Sequence, residues 1–580
     1  MISNRISPEN NLRKPLLAAV IAVLTLSLSA AEKPKSKSQP QPASQARKDP
    51  NALDYETISR IRGEAFRGSE VMKTLSELTD EIGPRLTNSP NQKRAADWAA
   101  AKMKSYGLQN VHLEPWGTFG KGWSYQVSHV RMTAPDTAEL LALPKAWTPS
   151  TEGVIRGKAI HTVIKSKEDF AKYHGKLAGL IVLNGEMRKV EPNIEPKSTR
   201  YSDKDIEKLS MYEIPGERDE AARAERFKRF AFARDIAKFF ADEKAAVVLE
   251  GSRAPFDGGT IGVQGNGQAY KDGEPIGVPN LVLAIEHFGR ITRLLDRNVP
   301  VELEVEAKTA FTDNGGDLQG YNVVGEIPGT DLKDQVVMIG GHLDSWHAGT
   351  GATDNAAGCS VMLETMRILQ KLGIKPRRSV RIALWTGEEQ GLLGSRGWVA
   401  EHLASRPTDP KEANVPEFMR RQTGPLQLKP EHVKVSIYFN VDSGTGKLRG
   451  LSLQENEALA PIFREWMEPY ADLGMSLLTM NNSGGSDFLS FDASGVPGID
   501  FVQDEIEYES RTHHSNMDTY ERIQRDDMLQ AVAVVGGFAY QAAQRDDMMP
   551  RKPLPEPPPP PATPNPQLEA KPDQTKKEPK

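Results

Sequence analysis

A single cysteine in 580 residues, Cys359, removes two classes of chemistry at the outset. A lone thiol supports neither an internal disulfide nor a zinc site built from clustered cysteines. Its place within a stretch of helical apolar spacing suits a buried small residue rather than a nucleophile. Basic residues are not in excess either. The formal net charge is −5, which leaves no electrostatic footprint for nucleic acid. There is no Gly-x-Ser-x-Gly elbow, no phosphate-binding P-loop and no His-Glu-x-x-His helix, so those routes to hydrolysis or phosphoryl transfer are closed. Long apolar runs are also missing. The one at 16–28 is too short for a comfortable membrane span, and no internal repeat is visible.

That short run has another meaning. Arg13-Lys14 precede it and Ser29-Ala30-Ala31 follow it, the order of a secretory signal peptide over residues 1–31. The expected location is therefore secreted or periplasmic. No cysteine follows the run, so a lipoprotein is excluded, and a chain of this size builds a core without disulfides. Residues 32–51, rich in Lys, Ser, Gln and Pro, read as a flexible linker. Residues 547–580, with prolines throughout 557–561, read as a disordered or polyproline tail.

What the chain does contain is concentrated between residues 340 and 520. Five segments each end a predicted element with a metal-binding side chain: Gly-Gly-His342-Leu-Asp344, Ala-Thr-Asp354-Asn, Gly-Glu388-Glu389, Phe-Asn-Val-Asp442 and Thr-His513-His514. Apolar runs at 336–339, 381–385 and 433–439 precede three of them and read as strands of a largely buried sheet. Ligands gather beyond the carboxyl ends of such strands. Residues 355–372 carry apolar positions at helical spacing, with Gly373 where a C-cap belongs. Two imidazoles, three carboxylates and one further glutamate are together enough for two metal ions with a shared ligand and a general base.

Each residue alone has a plainer explanation. Asp354 precedes a helix and would serve as an ordinary cap. A histidine after a strand is usually a polar loop residue, but Asp344 stands two positions after His342, where it can orient the imidazole. Adjacent glutamates are usually a solvated pair, yet these follow an apolar strand and a glycine. One can bind metal while the other accepts a proton from metal-bound water. Either His513 or His514 can be the final ligand. Asp487, in the loop 483–488, is open to contact with a substrate ammonium or to a turn-stabilising role.

The blocks Gly341-His342-Leu-Asp344-Ser-Trp346, Gly351-Ala-Thr-Asp354-Asn-Ala-Ala-Gly358 and Trp385-Thr-Gly-Glu388-Glu389-Gln-Gly391 resemble the signatures of the M28 family of zinc exopeptidases. The resemblance covers about residues 52–130 and 300–545. It implies an α/β fold, a mixed sheet flanked by helices, with Zn2+ as cofactor at two ions per chain. By the same resemblance His342 and Asp442 hold one zinc, Glu389 and His514 the other, and Asp354 bridges them. Glu388 is then the general acid/base, and Asp344, as the residue that orients His342, is counted with it as catalytic. His514 is preferred to His513 because the family places its last ligand four residues before an Asp-Thr pair, here Asp518-Thr519.

The resemblance further implies a peptidase domain split into 52–149 and 299–546. Between the parts, residues 150–298 contain short apolar strands at 179–183, 245–249 and 278–284, but no matching ligand motif. They resemble an inserted protease-associated α/β domain. The charged stretch 188–228 is either a lid or a surface excursion. Peptides are the expected partners, with no nucleic acid, no membrane once the leader is removed, and homodimerisation left open. Carboxypeptidase, dipeptidase and aminopeptidase modes all fit the scaffold. Two other functions remain in view: a non-catalytic, receptor-like peptidase fold and a zinc-dependent glutaminyl cyclase-like acyl transferase.

Overall fold

A computed structural model describes residues 51–216, 220–412 and 420–556, with the side chains of 220–224 also left out. The expected leader, the linker up to residue 50 and the prolines at 557–561 lie outside the described residues.

Among the described residues two eight-stranded sheets dominate the fold. At the centre of the first, Arg378–Trp385, Leu332–His342, Val435–Asn440 and Gly498–Gln503 run parallel and side by side. Antiparallel strands Gln319–Ile327 and Gln109–Thr118 extend one side, and Leu448–Ser452 continues the other. Leu477–Thr479 closes the far edge.

The apolar runs are continuous because both sheet faces are covered. Val337 and Ile339 enter one core cluster, while their alternates Val336 and Met338 enter another. That division is the period of two of a strand. The first face takes Ala357–Lys371, buried from Ala357 to Leu369, and Arg525–Gln544. Tyr55–Arg67 and Pro90–Ser105 pack in the same layer. The second face gathers Trp385, Trp398, Tyr438 and Phe491. The helix expected at 355–372 is therefore present, and Gly373 follows it with φ at 65°.

The second sheet contains the three remaining apolar runs as inner strands. Ile155–Thr162, Ile181–Asn184, Val247–Gly251 and Asn280–Leu283 are parallel neighbours. Helix Ile285–Asp296 covers one face through Ile285, Phe288 and Ile291. Phe232, Ile236 and Phe240 of Glu220–Asp242 cover the other. The sheet reaches beyond residues 150–298 at both ends. Gly122–Ala134 and Glu302–Thr312 pair along their length and also belong to it, so the chain enters and leaves through two neighbouring strands.

Residues 547–556 stay attached to the body. Arg551 donates to the carbonyls of His432 and Val435 at 2.7 and 2.6 Å, and Lys552 pairs with Asp492. Among the described residues no helix is long and apolar enough to cross a membrane.

Candidate metal centre

The carboxyl ends of the central strands finish at one level. His342 is in register with Trp385, and Gly340 with Asn440. The chain leaving these strands presents His342, then Glu388 and Glu389, then Asp442. A parallel arrangement is what makes three distant ends coincide.

Asp354 arrives from the turn Ala352–Ala356. Its backbone is non-helical, and its carboxylate makes no cap bond at the start of Ala357–Lys371. The capping role open to an aspartate there is not the one it takes. Asn355 does the local anchoring instead: its Oδ1 accepts from the Gly358 amide at 2.9 Å, and its Nδ2 donates to the Val441 carbonyl at 2.8 Å. The helix start is thereby tied to the Asp442 loop, and the Asp354 carboxylate is free to face the cleft.

The two oxygens of Asp354 face different imidazoles. Oδ1 lies 3.1 Å from His342 Nε2, and Oδ2 lies 3.4 Å from His514 Nε2. His342 Nε2 is also 3.0 Å from Asp442 Oδ1, and His514 Nε2 is 2.9 Å from Glu389 Oε2. Tetrahedral donors bound at about 2.0–2.1 Å stand roughly 3.3 Å apart, a separation that these spacings fit. His513 pairs with Glu509 at 3.4 Å and stacks on Tyr508, although it also comes near Asp354 and His514.

The electrostatics point the same way. Burial pushes Glu388 well above the usual carboxylate range, against the pull of His342 and with help from Asp442. Burial also raises Glu389 and Asp442, each with Asp354 as a repelling neighbour. For Asp354, burial acts upward but the hydrogen bond and charge of His342 prevail, holding it low. Buried carboxylates crowded in this way are costly unless compensated. Mixed imidazole and carboxylate donors fit a divalent ion such as zinc. The residues present therefore fit the implied metal.

Asp344 acts differently from the simplest expectation. His342 Nδ1 lies 3.0 Å from the Asp344 backbone carbonyl but 3.7 Å from its carboxylate. The carbonyl thus accepts the Nδ1 proton and leaves Nε2 available as a ligand. The carboxylate accepts from the amides of Glu388 and Glu389 at 3.3 and 3.4 Å, and from Thr87 Oγ1 at 2.9 Å. It positions the glutamate pair rather than the imidazole. Asp487 is fully buried beside the short helix Phe488–Asp492, and burial pushes its carboxyl up to about 7. That placement does not support contact with a substrate ammonium.

Two further residues build the site. Arg85 is fully buried and donates to the carbonyls of Leu343, Thr350 and Gly351 at 2.8, 2.8 and 2.7 Å, and of Gly83 at 3.1 Å. Asp518, used in the sequence only as a spacing marker, accepts from the amides of Thr353 and Asp354 at 2.6 and 3.2 Å. In the sequence Arg85 stands out only by following Gly83-Pro84, which does not reveal the partners. Arg85→Met leaves these carbonyls buried without their donor, at about 1–3 kcal/mol each. The variant is expected to lose at least ~3 kcal/mol of stability, measured by urea unfolding of metal-loaded protein.

The profile of Peptidase family M28 matches residues 322–539. Mouse carboxypeptidase Q is 26% identical over 480 residues, covering 82% of this chain and 86% of that protein. The human carboxypeptidase Q is also 26% identical, with the same shares covered. Among solved structures, the Peptidase M28 precursor from Shewanella amazonensis superposes with a TM-score of 0.59 at 24% identity, covering 86% of this chain and 98% of its own. BSAP, a zinc aminopeptidase from Bacillus subtilis, gives a TM-score of 0.50 at 18% identity, covering 82% and 95%. These two likenesses establish the mixed α/β fold. Sequence and fold converge: residues 322–539 match peptidase family M28, and the chain is a hydrolase of the zinc metallopeptidase type.

Proposed function

We propose that the chain is an exported di-zinc exopeptidase that removes residues from the ends of short peptides. The observation that carries this reading is the carboxylate of Asp354, whose separate oxygens face the His342–Asp442 and His514–Glu389 groups. One carboxylate between two donor groups is the arrangement that a pair of cations requires.

His342 and Asp442 would hold one zinc, Glu389 and His514 the second, and Asp354 both. When bound, the ions supply Lewis acidity, drawing the pKa of a coordinated water down toward about 7 and polarising the scissile carbonyl. Glu388 supplies the proton handling. Its carboxylate, assigned to neither ion, takes the proton of the attacking water and returns it to the leaving amine nitrogen. Asp344 fixes the Glu388 and Glu389 backbone, while Asp518 and Arg85 fix the turn that bears Asp354.

A receptor-like scaffold would be free to lose one of these side chains. All six are present and brought together, which favours catalysis. The residues at 150–298, with the flanking strands of their sheet, are proposed to form a protease-associated-type insert. The leader at 1–31 is proposed to direct export.

Which terminus is trimmed is tested with three versions of one short peptide: unblocked, N-acetylated and C-amidated. Fragment masses after incubation are expected to show cleavage of the unblocked peptide and loss of cleavage with one of the two blocks. Equal cleavage of all three would overturn the exopeptidase reading. A loss with the acetyl block identifies an aminopeptidase, and with the amide block a carboxypeptidase.

A further inference from the structure

The segment that carries His514 is held from the side of the second sheet. The Val263 amide donates to the His514 carbonyl at 3.1 Å. The Asn516 amide donates to the Ile261 carbonyl at 3.1 Å, and Asn516 Oδ1 accepts from the Ile261 amide at 2.7 Å. Asn516 Nδ2 reaches the Gly259 carbonyl at 3.2 Å. Ile261 and Val263 are fully buried against Val282 and Ala284, so this strap is rooted in the sheet that contains Asn280–Leu283.

A second strap grips the same segment upstream. Thr199 and Ile506 exchange backbone hydrogen bonds at 2.9 and 2.8 Å, and Ser510 Oγ donates to the Lys197 carbonyl at 2.6 Å. Arg200 spans Asp504 and Asp527 at 2.9 and 2.7 Å. Lys197 pairs with Asp257 at 2.5 Å, which joins the two straps. The charged stretch is therefore fastened to the catalytic body at this point.

His514 itself has φ at 57°. A non-glycine residue keeps that left-handed conformation only where its surroundings hold it. On the catalytic side the holding contacts act on Thr512, two residues before it, and on Asp518, four residues further on. The contact to the His514 carbonyl comes from Val263.

We propose that Asn516 and the 259–263 backbone, aided by Arg200, are positioning elements for the last metal ligand. They set the His514 imidazole against Glu389 and Asp354, so one of two metal sites depends on the insert. This inference rests on the two-metal reading above. Residues that orient a ligand typically account for about 10–100-fold in metal affinity.

The test is zinc titration of the full chain against a chromogenic chelator, with wild type, Asn516→Ala, Arg200→Ala and His161→Ala. His161 belongs to the insert but contacts Asp296 and the Gly185 carbonyl, away from both straps. Wild type and His161→Ala are expected to bind two zinc ions with equal affinities. Asn516→Ala and Arg200→Ala are expected to keep the first and weaken the second by about 10–100-fold. Asn516→Asp retains the acceptor for Ile261 and is expected to recover part of the loss. If wild type binds two ions and both strap variants do so with unchanged affinity, the inference is wrong. A wild type that binds only one removes the two-metal reading itself. Arg200 is half-exposed, so its variant decides the matter should Asn516→Ala fail to fold.

Discussion

Glu388→Gln is expected to reduce turnover by roughly 10²–10⁴-fold while leaving both metals bound. Glutamine keeps the size of the side chain and leaves the backbone amide bonded to Asp344. It removes only the ability to take a proton. The donors proposed to hold the ions sit on His342, Asp354, Glu389, Asp442 and His514, and the substitution leaves them in place. Metal content and thermal stability measured on the same sample separate lost chemistry from a lost site. Near-normal turnover, or loss of both ions, would remove Glu388 from its proposed role.

Asp354→Ala is expected to empty both sites, whereas His514→Ala should chiefly empty one. The reason is the divided carboxylate: Oδ1 serves the His342 group and Oδ2 the His514 group. Without it, each remaining group retains one imidazole and one carboxylate, too few for a stable zinc site. Residues that merely orient a ligand are worth about 10–100-fold in affinity or activity, so loss of the shared ligand should exceed 100-fold. Elemental analysis after zinc loading should read near two ions for wild type, near one for His514→Ala and well below one for Asp354→Ala. Two ions retained by Asp354→Ala would show that the bridge is misassigned.

Much of this was legible from residue order. Buried parallel strands are nearly all apolar, so the runs at 336–339 and 381–385 announced themselves, and ligands just past their ends followed from the sheet's geometry. The helix at 355–372 and its terminal glycine were equally plain. Local pattern could not rank His513 against His514, since both follow the same turn. The choice made from the Asp518-Thr519 spacing corresponds to the imidazole that lies 2.9 Å from Glu389.

By itself, then, the sequence determined which side chains were available for metal chemistry and which elements would present them, because burial and periodicity are written locally. Only the tertiary structure decided how they divide. Asp344 turns its carbonyl to His342 and its carboxylate to the glutamate amides, a choice made by loop geometry. Arg85 satisfies carbonyls about 260 positions away, and its partners carry no side-chain signature because they are backbone. The straps at 197–201 and 259–263 escape the sequence for the same reason. Four of their bonds to the 504–516 segment join main-chain atoms on both sides, which every residue possesses, and only folding selects the pairs that meet.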